Sequence, residues 1–226
     1  MTYLSLMKRI AAGLILFFCA ASDLHAQETY FNKADYERKV FFGSIVLGMN
    51  AAQIDGDTYS GFHKAGLNMG VGAYTRLSPK WLANIELLYS QKGARQINVY
   101  ESPAVGTIPL GYRARLNYVE IPLTIQYLVY PKLHLGGGLS YSRLISDKEE
   151  IDSYTAYTTQ TTEGTFRKQD INYLVSLQYQ LYDNLFARVR YQYSMLSIRD
   201  GSRIPVDFHS GSQFNNLFAF HLICVF

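Results

Sequence analysis

The sequence predicts an all-β fold, an eight-stranded antiparallel up-and-down transmembrane β-barrel. Three observations carry the prediction. Apolar and polar residues alternate with period two through segments of about 9 to 11 residues, the length a tilted strand needs to cross a bilayer. Short turns and long connections follow each other in strict order, and the chain stops on an aromatic residue, Phe226, at the end of an apolar-alternating strand. Composition agrees, with 19 Tyr and 13 Phe against a single Trp among 226 residues. Tyrosine at that density suits strands and interfaces, where its ring and its hydroxyl both find partners.

Residues 1–26 read as a secretory signal peptide, because Lys8 and Arg9 precede an apolar run over 10–21 and Leu24-His25-Ala26 sets a small residue before Gln27. That run falls short of the ~20 apolar residues a membrane-spanning helix requires. Cys19 lies inside it and would leave with the peptide, so Cys224 stands alone in an apolar strand, where packing is a stronger reading than reactivity. Residues 27–39 form a polar lead-in of mixed charge, expected as a periplasmic tail or short inner plug, and residues 40–226 form the barrel. The formal net charge of +3 falls to about +2 once Lys8, Arg9 and Asp23 are removed, too little to argue for nucleic acid.

Strands are expected near 40–53, 62–76, 81–92, 113–129, 133–146, 169–181, 185–198 and 214–226. In the second, Leu67, Met69 and Val71 point one way, with Asn68, Gly70, Gly72 and Tyr74 opposite. The third sets Trp81, Ile85 and Leu87 against Asn84, Glu86, Ser90 and Lys92. The fourth sets Ile121, Leu123 and Ile125 against Tyr118, Glu120 and Gln126. In the sixth and seventh, Val175, Leu177, Val189 and Tyr191 oppose Asn172, Ser176, Arg188 and Arg190. In the last, Phe218, Phe220, Leu222, Cys224 and Phe226 share one face. The tight turns at 77–80, 130–132 and 182–184 alternate with long connections around 54–60, 93–111, 146–168 and 199–212. Bacterial barrels are built this way, with short periplasmic turns and long extracellular loops.

Mid-strand charges on the polar faces are the candidate functional residues. Glu86, Glu120, Arg188 and Arg190, with Arg76 and Lys64 as further candidates, either line an ion path or zip the lumen shut. An eight-stranded interior is only just wide enough for side chains to fill, which favours a charge-paired structural plug. Asp207, His209 and Ser210 cluster in the last long connection, but no nucleophile motif accompanies them, so a polar loop is the better reading than a hydrolase site. Asp55-Gly56-Asp57 begins like a calcium loop yet lacks its bidentate Glu, and reads as a turn. Tyr100, Tyr112, Tyr154, Tyr157 and Phe166 either contact glycans or a protein partner, or sit on hairpins that extend above the membrane. Trp81 and Tyr130, beside short turns, suit the periplasmic aromatic girdle. No catalytic, cofactor or metal motif emerges, and the expectation is of a protein that is not an enzyme.

Several of these segments resemble the PorT-like outer-membrane β-barrel proteins of Bacteroidetes. The likeness lies in Gly66-Leu67-Asn68, in Glu86-Leu87-Leu88-Tyr89-Ser90-Gln91-Lys92-Gly93, in Leu116-Asn117-Tyr118-Val119-Glu120-Ile121-Pro122-Leu123, in Arg190-Tyr191 and in the terminal Phe226. The resemblance implies a structural or interaction role in the cell envelope, assisting a secretion system, with Glu86 and Glu120 as structural positions. A narrow channel or carrier for small solutes is the alternative. Phe226 resembles the C-terminal signature by which such barrels are recognised for insertion. The implied partners are outer-membrane lipid and lipopolysaccharide, the barrel-insertion machinery, and secretion-system or envelope proteins, with no nucleic acid. Cleavage after Ala26 predicts that the protein isolated from envelopes begins at Gln27; an intact mass that retains residues 1–26 would contradict the signal-peptide reading.

Overall fold

The computed structural model describes Phe31 and residues 40–56, 61–102, 106–153, 158–162, 166–199 and 212–226. The expected signal peptide and the lead-in over 27–39 lie outside these residues, Phe31 apart. The described residues form strands β1 (Phe41–Asp55), β2 (Lys64–Ser78), β3 (Trp81–Ser102), β4 (Gly106–Tyr130), β5 (Leu133–Ser153), β6 (Thr158–Thr162), β7 (Gln169–Gln180), β8 (Leu185–Ser194) and β9 (Phe214–Val225). Hydrogen-bonded neighbours run β4-β3-β2-β1-β9-β8-β7-β5, and β4 pairs with β5 to close an antiparallel ring of eight. β6 stands outside that ring and pairs only with the far end of β5, from Glu149↔Thr162 to Ser153↔Thr158.

Closure extends to the end of the chain. β1 and β9 are in register from Ser44↔Val225 to Asp55↔Phe214, and Gly43 and Phe226 exchange N–H···O bonds of 2.9 Å in both directions. A closed ladder of this kind leaves no strand edge to seek a partner in lipid.

Alternation places apolar side chains outside and polar ones inside, the reverse of a water-soluble core. On β7, Asp170, Asn172, Ser176 and Gln178 are buried while Val175 and Leu177 are exposed. Leu47, Val71, Ile85, Leu123, Leu139, Val189 and Leu222 are likewise exposed. The inner and outer faces read from the sequence for β2, β3, β4, β7, β8 and β9 agree with this burial, the interior candidate Lys64 at the start of β2 excepted. Exposed apolar residues on all sides of a cylinder with a polar interior are suited to lipid outside.

Strand ends depart from the expectation in two ways. The connections expected at 93–111 and 146–168 are largely strand, because β3 and β4 continue as one hairpin to Ser102↔Gly106 and β5 extends alongside to Asp152↔Gly111. Gly93 lies just beyond the end of the β2–β3 ladder, whose last pair on this side is Asn68↔Ser90. Its φ is 124°, and a Cβ there would lie 2.1 Å from the Ala114 carbonyl oxygen, so only glycine fits. In the other direction, β8 ends at Ser194 rather than 198. Beyond it the chain folds inward, burying Ile198 and Arg199 through Ile198 N–H to Gln213 O at 2.8 Å and Arg167 N–H to Ile198 O at 2.7 Å.

Pro122 sits mid-strand in β4, where its nitrogen has no hydrogen to donate. The β3–β4 ladder accordingly steps from Ile85↔Leu123 to Leu88↔Glu120, whereas Pro122↔Ser140 holds on the β5 side. The break falls beside Glu86, the residue on which the lumen is organised.

Candidate functional site

β3 and β8 lie four strands apart in either direction around the ring of eight, so they face each other across the full diameter. Glu86 of β3 crosses it. Its Oε1 accepts from Arg188 Nη1 at 2.5 Å and its Oε2 from Arg190 Nη2 at 2.6 Å, all three side chains being buried. Successive inward positions of one strand thus grip both oxygens of one carboxylate. Asn84 Nδ2 adds a bond to Glu86 Oε1 at 2.9 Å, and Arg188 Nε donates to His221 Nδ1 at 3.3 Å. Gly72 makes room for this group, since a Cβ there would come within 3.0 Å of Glu86 Cγ and 2.9 Å of Ser44 Oγ.

A second buried pair lies toward the hairpin end. Lys92 Nζ approaches Glu120 Oε1 at 2.5 Å, and the same oxygen accepts from Ser142 Oγ and Gln192 Nε2 at 3.0 Å each. Two further bonds join diametrically opposed strands: Tyr74 OH of β2 to Gln178 Oε1 of β7 at 3.0 Å, and Asn215 Nδ2 of β9 to Tyr118 OH of β4 at 3.3 Å. Asp170 completes this layer by accepting from Ser194 Oγ at 2.7 Å and Asn215 Nδ2 at 3.1 Å. Because ionised groups out of bulk water must be paired and hydrogen-bonded, the bridges hold the walls at fixed separation.

Apolar layers lie at both ends. At the short-turn end, Phe31 packs against Phe42, Tyr74 and Phe186 with ring centroids 5.2, 5.4 and 5.5 Å away, and Arg76 Nη1 donates to the Phe31 carbonyl at 2.9 Å. At the hairpin end, Ile54, Leu116, Leu144, Phe166 and Ile198 cluster. Above them Arg199 grips both Glu149 oxygens at 2.9 and 3.0 Å and lies 4.4 Å over the Phe166 ring.

The structure therefore brings Glu86, Arg188 and Arg190 into one triad and places Glu120 in the lumen, but the ion partner of Glu120 is Lys92 rather than an arginine. Lys64 does not join the interior; its ammonium donates to the Ala65 carbonyl at the rim. Arg76 serves the inner mouth. Alternation already set Lys92 on the inner face, and only the register identifies its partner. Asp170 and the Glu149–Arg199 pair were missed because they fall at or beyond the expected strand ends.

Two of the aromatics considered for outward contacts, Tyr112 and Phe166, are only 3% and 5% exposed. Tyr112 OH instead donates to Glu149 Oε1 at 2.8 Å. Tyr154, Tyr157, Asp57, Asp207, His209 and Ser210 lie outside the described residues, as does the Tyr100 side chain. Asp55 accepts from Gln53 Nε2 at 2.7 Å and Asn216 Nδ2 at 3.0 Å. Among the described residues, no group of three or more His, Cys, Asp or Glu is arranged to hold a metal. Trp81 and Tyr130 are exposed beside the short turns, where an aromatic girdle belongs.

The profile of a family described as "Outer membrane protein beta-barrel domain" matches residues 31–200. No curated protein matches the chain. Similar solved structures include Ail, the attachment invasion locus protein of Yersinia pestis, at 14% identity and TM-score 0.46, covering 82% of this chain and 98% of that one. Neisserial surface protein A has 11% identity and TM-score 0.44, with 82% and 97% covered. The outer membrane protease OmpT from Escherichia coli has 13% identity and TM-score 0.44, with 84% and 98% covered.

Removing Glu86 alone leaves two buried guanidinium groups facing each other. Glu86→Ala is expected to cost about 3–5 kcal/mol of folding stability, and Glu86→Ala combined with Arg188→Ala to cost less than the sum of the two single changes. Urea unfolding of the refolded barrel measures the cycle; independent, additive losses would show that the cross-barrel pairing is not coupled.

Proposed function

The chain belongs to the outer membrane protein beta-barrel domain family, and from that premise we propose that it serves the outer membrane as a sealed, non-catalytic scaffold presenting its hairpins outward. The observation that supports this best is the bridged lumen. Glu86 with Arg188 and Arg190, Tyr74 with Gln178, and Asn215 with Tyr118 each tie strands that face each other across the barrel. A solute path would have to break several of these bonds at once, each leaving a desolvated polar group behind.

An interaction role follows from rigidity, because a stiff cylinder fixes the hairpins it carries. The PorT-like likeness in the Glu86–Gly93 and Leu116–Leu123 stretches favours assistance to a secretion system as the finer role. Lipid and lipopolysaccharide surround barrels in this membrane generally. The polar lining is the observation that favours a narrow channel as the second reading, since polar side chains also solvate small solutes.

Planar-bilayer recording separates the two readings. The purified barrel is expected to show no stepwise openings, and reproducible unitary conductance would replace the scaffold with the channel. We further infer that Phe226 is the insertion signature, its backbone being bonded to Gly43 at the closing seam. Deleting Phe226 is then expected to reduce the folded barrel recovered from outer membranes severalfold, whereas unchanged recovery would remove that role.

A further inference from the structure

We propose that Arg95, Arg113, Arg115 and Lys148, on the outward face at the extracellular rim, bind the phosphate groups of a phosphorylated glycolipid in the outer leaflet. The proposal takes from the preceding reading only the placement in the outer membrane, and stands whether or not the lumen conducts.

Depth is the first argument. On β4 the outward residues Ile121, Leu123, Ile125 and Val129 are exposed and apolar, and Val119 to Val129 at ~3.3 Å per residue and a 35–45° tilt spans ~25 Å, the height of a barrel's apolar band. Asn117, Arg115 and Arg113 follow on the same face, which sets the two arginines roughly 10–15 Å above the band. Head groups occupy about 5–7 Å beyond the hydrocarbon, so the long side chains reach down to them from just above.

Charge is the second. Arg95 is directly opposite Arg113 across β3–β4, and Arg115 directly opposite Lys148 across β4–β5. Like charges in opposed positions destabilise a sheet unless an anion sits between them. Glu150 supplies part of that anion, meeting Lys148 at 2.8 Å, Arg113 at 3.3 Å and Arg115 at 3.6 Å. One carboxylate shared among three cations leaves positive charge in excess. The Glu150 carboxyl is held below its ordinary range, first by the Lys148 hydrogen bond and then by the field of the cations around it. The Lys64 ammonium is lowered by partial burial and then by Arg115, Arg113 and Arg95 together.

Shape is the third. Arg113, Arg115 and Lys148 side chains are 39%, 49% and 44% exposed while paired with Glu150, so a head group can reach them beside that carboxylate, and guanidinium forks match phosphate oxygens two at a time. The opposite outer wall differs, being lined at this end by Tyr173, Tyr191, Tyr193 and Phe218 in ring contact. Among the described residues, the paired outward cations Arg95, Arg113, Arg115 and Lys148 lie on β3 to β5, and Arg167 and Lys168 are exposed just before β7.

The test uses the full barrel in zwitterionic micelles with three probes: bis-phosphorylated lipid A, the same lipid A without phosphates, and inorganic phosphate. Heat-dependent gel mobility reads the unfolding midpoint, and mass spectrometry reads retained lipid. Only the bis-phosphorylated lipid is expected to raise the midpoint and stay bound, less so at high salt. Arg113→Gln/Arg115→Gln should weaken retention roughly tenfold, and Arg113→Lys/Arg115→Lys should restore part of it. If the glutamine pair fails to fold, Arg95→Gln/Lys148→Gln provides the same comparison. Equal retention of dephosphorylated lipid A, undiminished retention by folded glutamine variants, or a full shift from inorganic phosphate alone would each overturn the assignment.

Discussion

In hydrocarbon, a backbone N–H or C=O without a partner costs several kcal/mol, and every other feature of this protein is subordinate to satisfying them. A strand cannot do so alone, so eight strands must form a ring. The ring here closes through β4–β5 and through a β1–β9 seam that extends to the final residue. Even Pro122, which cannot donate, is tolerated by a local gap in the β3–β4 ladder while its carbonyl-side neighbours keep their pairs with β5.

Closing eight strands defines a narrow interior, and that width decides what fills it. Opposed side chains are near enough to meet, so a carboxylate on β3 reaches two guanidinium groups on β8, and amides and tyrosines bridge the other diameters. Small residues such as Gly72 face the large ones. Apolar layers around Phe31 and around Phe166 flank this polar middle at its two ends. A buried ion pair is weak support for stability by itself, but breaking one partner leaves an uncompensated charge, which makes the arrangement resistant to piecemeal loss.

The outer surface follows a different rule, set by depth. At bilayer height it is aliphatic, at the short-turn end aromatic through Trp81, Tyr127 and Tyr130, and beyond the apolar band on β3 to β5 it carries Arg95, Arg113, Arg115 and Lys148. The aliphatic and aromatic zones match the hydrocarbon and the interface at their levels.

Period-two patterning is a property of neighbouring residues, so the existence of the strands, their number around the ring and the faces of the clearly alternating stretches could be read directly from the sequence. Glu86, Glu120, Arg188 and Arg190 were recognisable as inward charges for that reason. Which charges meet is not local. It depends on register and on which strands are opposed across the ring, and these gave Glu86 two arginines and gave Glu120 to Lys92. The extent of the hairpins was also hidden, because polar residues beyond the membrane lose the apolar alternation even where the β3–β4–β5 ladder continues. The sequence by itself determined an eight-stranded barrel with a polar interior. Tertiary structure alone decided that the interior is bridged wall to wall, because pairing across a diameter exists only once the ring has closed.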